Sequence, residues 1–158
     1  MATKLVIVGA LLVALAGAAG ASEPYRPPGG GEDWQSVTAV LHGTEVRPGA
    51  SGTAVLACSL DETQHRIELA AQGVAAGKIH SVWLVKLDAQ GALVRQLRVD
   101  DPDHPLRADG NGNLNFAANL AECPQGKYNV VAVRYHADGD PHNGAGAATV
   151  LKGSVPDS

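Results

Sequence analysis

Histidines carry the most versatile chemistry that this sequence offers. The chain has six of them among 158 residues, and neutral imidazole is a common ligand for zinc and copper. His136 and His142 flank the polar stretch ADGDP, whereas His80 lies within the apolar stretch KIHSVWLVKL. Three converging imidazoles would bind either metal. One hypothesis is therefore a secreted copper- or zinc-binding protein that uses His80, His136 and His142.

The segment YHADGDPHNG, which holds the last two of these histidines, also has a simpler interpretation. Asp-Pro and Asn-Gly pairs are typical of turns, and the next β-prone stretch begins within a few residues. This pattern predicts a connection between two strands, in which Asp138 and Asp140 form turns and His136 and His142 flank the loop. On this interpretation the protein has no cofactor.

Acidic and amide side chains suggest two further kinds of site. Asp109, Asn111 and Asn113 alternate as calcium ligands do, but Leu114 and Leu120 stand where an EF-hand loop needs Gly and Glu, so we expect a tight turn there. The acidic stretches 100–103 and 138–140 could supply paired carboxylates to a hydrolase. The sequence has no G-x-S-x-G or HExxH motif, and we predict no enzymatic activity, with such a hydrolase as the alternative.

The two cysteines, Cys58 and Cys123, are 65 residues apart in the sequence. An even number of cysteines in an exported chain predicts one disulfide. The alternative is a reactive or metal-ligating pair, although the chain has no CxxC spacing.

The N-terminus has the order of features found in a secretory signal peptide. Lys4 precedes an apolar run over 5–16, and small residues at 19–21 fit a cleavage site. We expect a signal peptide over 1–21, a flexible Pro/Gly-rich tether over 22–33 and a single domain over 34–156. The protein is then secreted or periplasmic, exported by a bacterium, and not stably inserted in the membrane after cleavage; an uncleaved, membrane-anchoring N-terminus is the alternative.

The charge balance argues against one class of partner. Twelve basic and 16 acidic residues give a formal charge of −4, and the sequence shows no basic cluster with interleaved aromatic residues. Nucleic acid is therefore not an expected partner.

Eight β-prone stretches of period 2 recur between turn signals and must position all of these residues. They cover 34–45, 52–61, 66–74, 78–87, 92–99, 114–120, 128–135 and 147–155. This spacing predicts an all-β fold, an immunoglobulin-like antiparallel β-sandwich of about seven or eight strands with one disulfide.

Three segments resemble known extracytoplasmic families. KIHSVWLVKLDAQGALVRQLRVD resembles a strand–turn–strand unit of the extracytoplasmic domain of anti-sigma-K factors, and DPHNGAGAATVLKGSVP is similar to that family's C-terminal close. VTAVLHGTEVRPGASGTAVL is similar to the first hairpin of that family and to the start of CHRD domains, which Gly43, Glu45, Val46 and Pro48 match and Arg47 does not. The resemblance implies an all-β, sensor-like extracytoplasmic module.

These features together predict an exported, non-enzymatic binding module. Loops on a rigid sandwich commonly carry recognition, and the polar loops 100–104, 107–113 and 138–143 form the candidate binding surface. The expected partner is a protein, a sugar or a small ligand. The alternative is that these loops are only solvated connections.

Overall fold

The computed structural model describes residues 34–156, and this part of the chain is all-β and antiparallel. It contains nine strands. They are β1 (Trp34–Gly43), β2 (Ser51–Ser59), β3 (His65–Gln72), β4 (Ile79–Leu87), β5 (Leu93–Arg98), β6 (Leu106–Arg107), β7 (Leu114–Asn119), β8 (Val130–His136) and β9 (Ala147–Ser154). The predictions for 1–21 and 22–33 lie outside the described residues. Within 34–156, no helix has the length and apolar character needed to cross a bilayer.

The strands form one curled sheet in the order β5-β4-β8-β9-β1-β2-β3-β7, with the short β6 paired to β4. The two halves of this order meet where β1 and β9 share only two registered pairs, His42 with Lys152 and Gly43 with Leu151. Because this join is so short, the sheet turns there and its halves face each other around one core.

Alternating side chains from the two halves fill that core. In β3, Ile67, Leu69 and Ala71 are buried, and they pack in one cluster with Val82 of β4 and Val133 of β8. The alternation arises because successive side chains of a strand point to opposite faces of the sheet. β4 is buried along most of its length, since strands flank it on both sides.

The sequence predicted the all-β, antiparallel class and all eight longer strands, and these predictions are confirmed to within one or two residues at each boundary. It missed β6, because a two-residue strand carries no periodic pattern. The finer immunoglobulin-like arrangement stays a prediction.

The predicted disulfide between Cys58 and Cys123 is confirmed. It joins the end of β2 to the segment after β7, with a Cα–Cα distance of 5.6 Å. The buried core around it consists mainly of Ala, Val and Leu, with Tyr128 as its one fully buried aromatic side chain among residues 34–156. Small side chains bury little apolar area each, so we expect the covalent link to contribute a substantial share of the stability.

We expect the double change Cys58→Ala and Cys123→Ala to lower the free energy of unfolding by about 3–4 kcal/mol, because the unfolded chain regains the freedom of a 65-residue loop. Urea unfolding followed by circular dichroism measures this difference. The oxidised wild type with and without a reductant is the control. A loss below about 1 kcal/mol would contradict the assigned role.

Candidate functional site

The loops that the sequence singles out lie together at one end of the sandwich, which we call the loop end. β4 begins there at Ile79, β5 ends there at Arg98 and β8 ends there at His136. The connections 99–105, 108–113 and 137–146 therefore leave the sheet in the same direction. The disulfide lies at the opposite end, where β2 ends.

Arg98 ties two of these loops to the sheet. Its guanidinium group donates to the Asp100 carboxylate, with 2.7 Å between Nη2 and Oδ2, and Nη1 donates to the carbonyl of Pro141. The Asp100 side chain is only 1% exposed, and its Oδ1 accepts the backbone N–H of Val82 at 2.8 Å. The loop after β5 and the loop after β8 are thus held against β4 by one buried ion pair.

A second contact joins the same two loops at the surface. The Nε2 atom of His142 lies 3.5 Å from Oδ1 of Asp103. Both side chains are mostly exposed, so this pair adds little stability by itself. It does show that the loops 101–104 and 138–143 form one continuous surface.

The third predicted loop, 107–113, is a closed turn beside the connection between β3 and β4. Oδ1 of Asp109 accepts the backbone N–H groups of Asn111 and Asn113, each at 2.8 Å. These bonds stabilise the carboxylate, and the pKa of Asp109 lies below its usual value chiefly because of the bond from Asn113. The turn adopts the local structure that the sequence predicts, and the Asp109 carboxylate closes it by accepting backbone hydrogen bonds.

The exposed carboxylates of the loops 101–104 and 138–143 shape their own turns in the same way. Asp101 accepts the N–H of Asp103, Asp138 that of Asp140, and Asp140 that of His142. These bonds leave the negative charges in solvent. We call the side chains of Asp101, Asp103, Asp138 and Asp140 the acidic loop surface.

His104 lies at the edge of the acidic loop surface. Its Nδ1 is 2.7 Å from Oδ2 of Asp101. This hydrogen bond and the carboxylate's charge raise the pKa of His104, and the same bond lowers the pKa of Asp101. The imidazole is therefore more readily charged than a free histidine.

His80 is fully buried beneath the loop end. Its Nδ1 donates to the carbonyl of Lys78 at 3.0 Å, while its Nε2 is buried without a partner among the described residues. The ring is tilted against Tyr135, with 5.7 Å between ring centroids. Burial lowers the pKa of His80, because a proton on Nε2 would have no acceptor and little solvent.

His136 is the last residue of β8, directly before the loop over 137–146, so it flanks the loop, and its side chain is buried with 1% exposure. The strand continues one residue beyond Tyr135, and this extension carries the imidazole under the covering loops. Its Nε2 lies 2.9 Å from Oγ of Ser81, which also accepts a hydrogen bond from Trp83 at 2.8 Å.

The Ser81–His136 pair has the spacing of a nucleophile and its base. However, Ser81 has no exposed surface, and Nδ1 of His136 has no partner in the described part of the chain. A substrate cannot reach the hydroxyl, and the carboxylate that would orient the base is not in contact with it. The pair is a buried structural contact and lends no support to a hydrolase.

Within residues 34–156, one group of three potential metal ligands has its ligand atoms within 4.8 Å of one another, and it consists of Cys58, His65 and Cys123. The disulfide uses both sulfur atoms, which leaves no thiolate for a metal. His80, His136 and His142 do not form such a group. Their metal site stays a prediction without support from the geometry.

Sequence reasoning missed the position of His65. The register of β2 and β3 places it directly opposite Cys58, with its Nδ1 buried and unpartnered among the described residues. The short separation of Cys58 and His65, seven residues across one hairpin, was the signal in the sequence that could have indicated this contact.

Comparison with known proteins gives no relative for this chain: no protein-family model, curated protein or solved structure matches it. The resemblances to anti-sigma-K factors and to CHRD domains therefore stay predictions. The site must be interpreted from its own geometry.

We expect the free energy of unfolding to fall as the pH drops from about 7.5 to 5, because the unfolded chain protonates His80 near 6.5 and the folded protein, in which the pKa of His80 is lowered, takes up this proton less readily. The slope contributed by this one group is at most about 1.4 kcal/mol per pH unit. His80→Asn keeps a donor for the Lys78 carbonyl and cannot titrate, so its slope should be smaller. Urea unfolding at several pH values measures the slopes.

The exposed histidine His42 provides the control for this experiment. His42→Asn makes the same side-chain change at the surface, and its slope is compared with that of His80→Asn. Equal slopes for wild type and His80→Asn would show that burial of His80 does not control the acid sensitivity.

We expect Arg98→Met to lower the free energy of unfolding by about 3 kcal/mol, because it leaves the buried Asp100 carboxylate without its counter-ion. Arg95→Met on the same strand is the matched control. It removes an exposed pair with Glu122 and should cost about 1 kcal/mol or less. Chemical unfolding of both variants measures the difference. Equal losses would show that the buried pair of Arg98 and Asp100 contributes no more than an exposed pair.

Proposed function

We propose that this protein is an exported, non-enzymatic binding module whose acidic loop surface binds a basic segment of another protein. The single observation that carries the proposal is the joining of two acidic loops on a rigid strand. Arg98 links both loops to β4, and His142 contacts Asp103 across them.

The anchoring matters because binding costs less when the binding surface is already ordered. The loops 101–104 and 138–143 are exposed at their tips, yet a buried ion pair holds their bases. A ligand would meet a surface whose turns are closed by hydrogen bonds from Asp101, Asp138 and Asp140.

The charge of the surface selects among the predicted partners. Four carboxylates lie in solvent on two contacting loops, and the nearby Arg98 is already neutralised by Asp100. Lysine and arginine side chains are attracted to such a surface, and this attraction accelerates encounter as well as orienting the partner. A neutral sugar or an anionic ligand would not be attracted electrostatically to these carboxylates.

Export is supported by the disulfide, since such bonds persist in oxidising compartments. The signal-like segment over 1–21 agrees with this location. The Ser81 hydroxyl, which is hydrogen-bonded to His136, is fully buried, so this pair does not favour hydrolysis over binding.

We expect the protein to bind a short peptide rich in lysine and arginine, and not a glutamate-rich peptide of the same length. Affinity should fall as salt rises from about 20 to 150 mM, because screening weakens exposed charge pairs. Fluorescence anisotropy with labelled peptides measures both effects. Equal binding of the two peptides would refute the proposed selectivity.

The double change Asp101→Asn and Asp103→Asn should weaken binding of the basic peptide about fivefold, or about 1 kcal/mol. Asparagine keeps the oxygen that closes the turn at Asp101. The matched control is Asp61→Asn with Glu62→Gln, which removes two exposed charges from the opposite end of the sandwich. Equal weakening by both pairs would mean that net charge, and not the loop end, determines binding.

A further inference from the structure

Among residues 34–156, β5 and β7 stand at the two ends of the sheet order, and each pairs with another strand on one side only. Their free edges differ in how they are protected. Natural edge strands usually carry charges, proline or a bulge, which prevent pairing with another chain. β5 carries Arg95 and Arg98 and lies beside a register shift at Lys86 and Leu87. β7, with the sequence LNFAAN, has no charge and no proline, and its pairing with β3 is regular over six residues.

The outer edge of β7 presents a defined set of backbone groups. The N–H of Leu120 donates to the carbonyl of His65. Hydrogen bonding to the neighbour alternates along an antiparallel strand, so the even-numbered residues of β7 bond to β3. The N–H and C=O groups of Asn115, Ala117 and Asn119 therefore point away from the sheet, and all three residues are exposed.

The order of residues along this edge is self-complementary about Ala117. When two copies of β7 pair antiparallel around a two-fold axis at Ala117, Asn115 of one copy lies opposite Asn119 of the other. The two amide side chains can each donate and accept. Phe116 lies opposite Ala118, and no like charges face each other.

The neighbouring strand does not oppose this pairing. Glu68 and Arg66 of β3 lie beside Ala117 and Asn119, and they neutralise each other in an ion pair of 2.7 Å. A shallow depression next to β7 is lined by the short side chains of Thr53, Ala70 and Asn115, together with larger ones such as Val55 and Phe116. Within residues 34–156, these neighbours leave the edge of β7 open to a second copy and place no unpaired charge beside it.

We propose that the free edge of β7 is a docking surface for a second copy of this chain, which pairs with it antiparallel about Ala117. The layer formed by β1, β2, β3 and β7 then continues into the same layer of the partner as one eight-stranded sheet. Three hydrogen-bonded residue pairs across the axis satisfy the edge groups of both copies. Since six residues form a small interface, we expect a weak dimer with a dissociation constant of about 100 µM.

Sedimentation equilibrium over about 10 µM to 1 mM tests the proposal, because this range spans the expected dissociation constant. Ala117→Lys should abolish dimer formation, since two lysines would lie directly opposite each other at the axis. Its fold should persist, because Glu68 is the cross-strand neighbour of residue 117. Ala70→Lys, on the same exposed face of the interior strand β3, is the matched control and should still dimerise.

Ala117→Cys supplies an independent positive test. Residues opposite each other in a hydrogen-bonded antiparallel pair have Cα atoms about 5.5 Å apart, within the range that a disulfide spans. Both native cysteines are bonded to each other, so only the new thiol reacts. Mild oxidation should give a covalent dimer for Ala117→Cys at least about tenfold faster than for Ala70→Cys.

Three results would overturn the proposal. The first is a monomer at every concentration up to about 1 mM. The second is an equal effect of the two lysine variants on dimer formation. The third is equal cross-linking of the two cysteine variants.

Discussion

The short junction between β1 and β9 is the constraint on which the rest of this domain depends. Only two registered pairs join the halves of the sheet, and the strands approach so closely that a side chain on Gly153 would overlap the Val40 carbonyl. Two residue pairs are too few to hold the two halves of the sheet in one plane, so the sheet turns at this point. Closure then creates the single core and sets the loop end and the disulfide at opposite ends of the sandwich.

The loop end shows how a mostly polar site can be held by a weakly apolar core. The charged groups at the surface are exposed, and each of their pairwise interactions is weak. The loops that bear them are anchored by Arg98 and Asp100, because the Asp100 carboxylate also accepts the backbone N–H of Val82. Burial makes that pair sensitive to the loss of either partner. The imidazoles of His80 and His136 are buried at the same end of the sheet, and burial lowers the pKa of His80.

Much of the fold follows from local pattern. Alternation in stretches such as the one around Ile67 and Leu69 indicates a strand with one buried face, and the apolar stretch around Val82 indicates a central strand; both predictions are confirmed. The pattern failed where it had too few residues, at β6, and it did not indicate that His136, at the end of β8, is buried. Whether the end of a strand is buried depends on the loops that cover it, and the neighbouring residues in the sequence do not encode this.

The sequence alone determined the all-β class, the approximate positions of the eight longer strands and the pairing of Cys58 with Cys123, because side-chain periodicity and an even cysteine count are local or combinatorial properties. Only the tertiary structure decided which polar residues meet. It buried His80 and His136 in separate hydrogen bonds, left His142 on the surface beside Asp103, and set His65 against the disulfide. Such contacts depend on strand register and loop path, which bring together residues far apart in the chain.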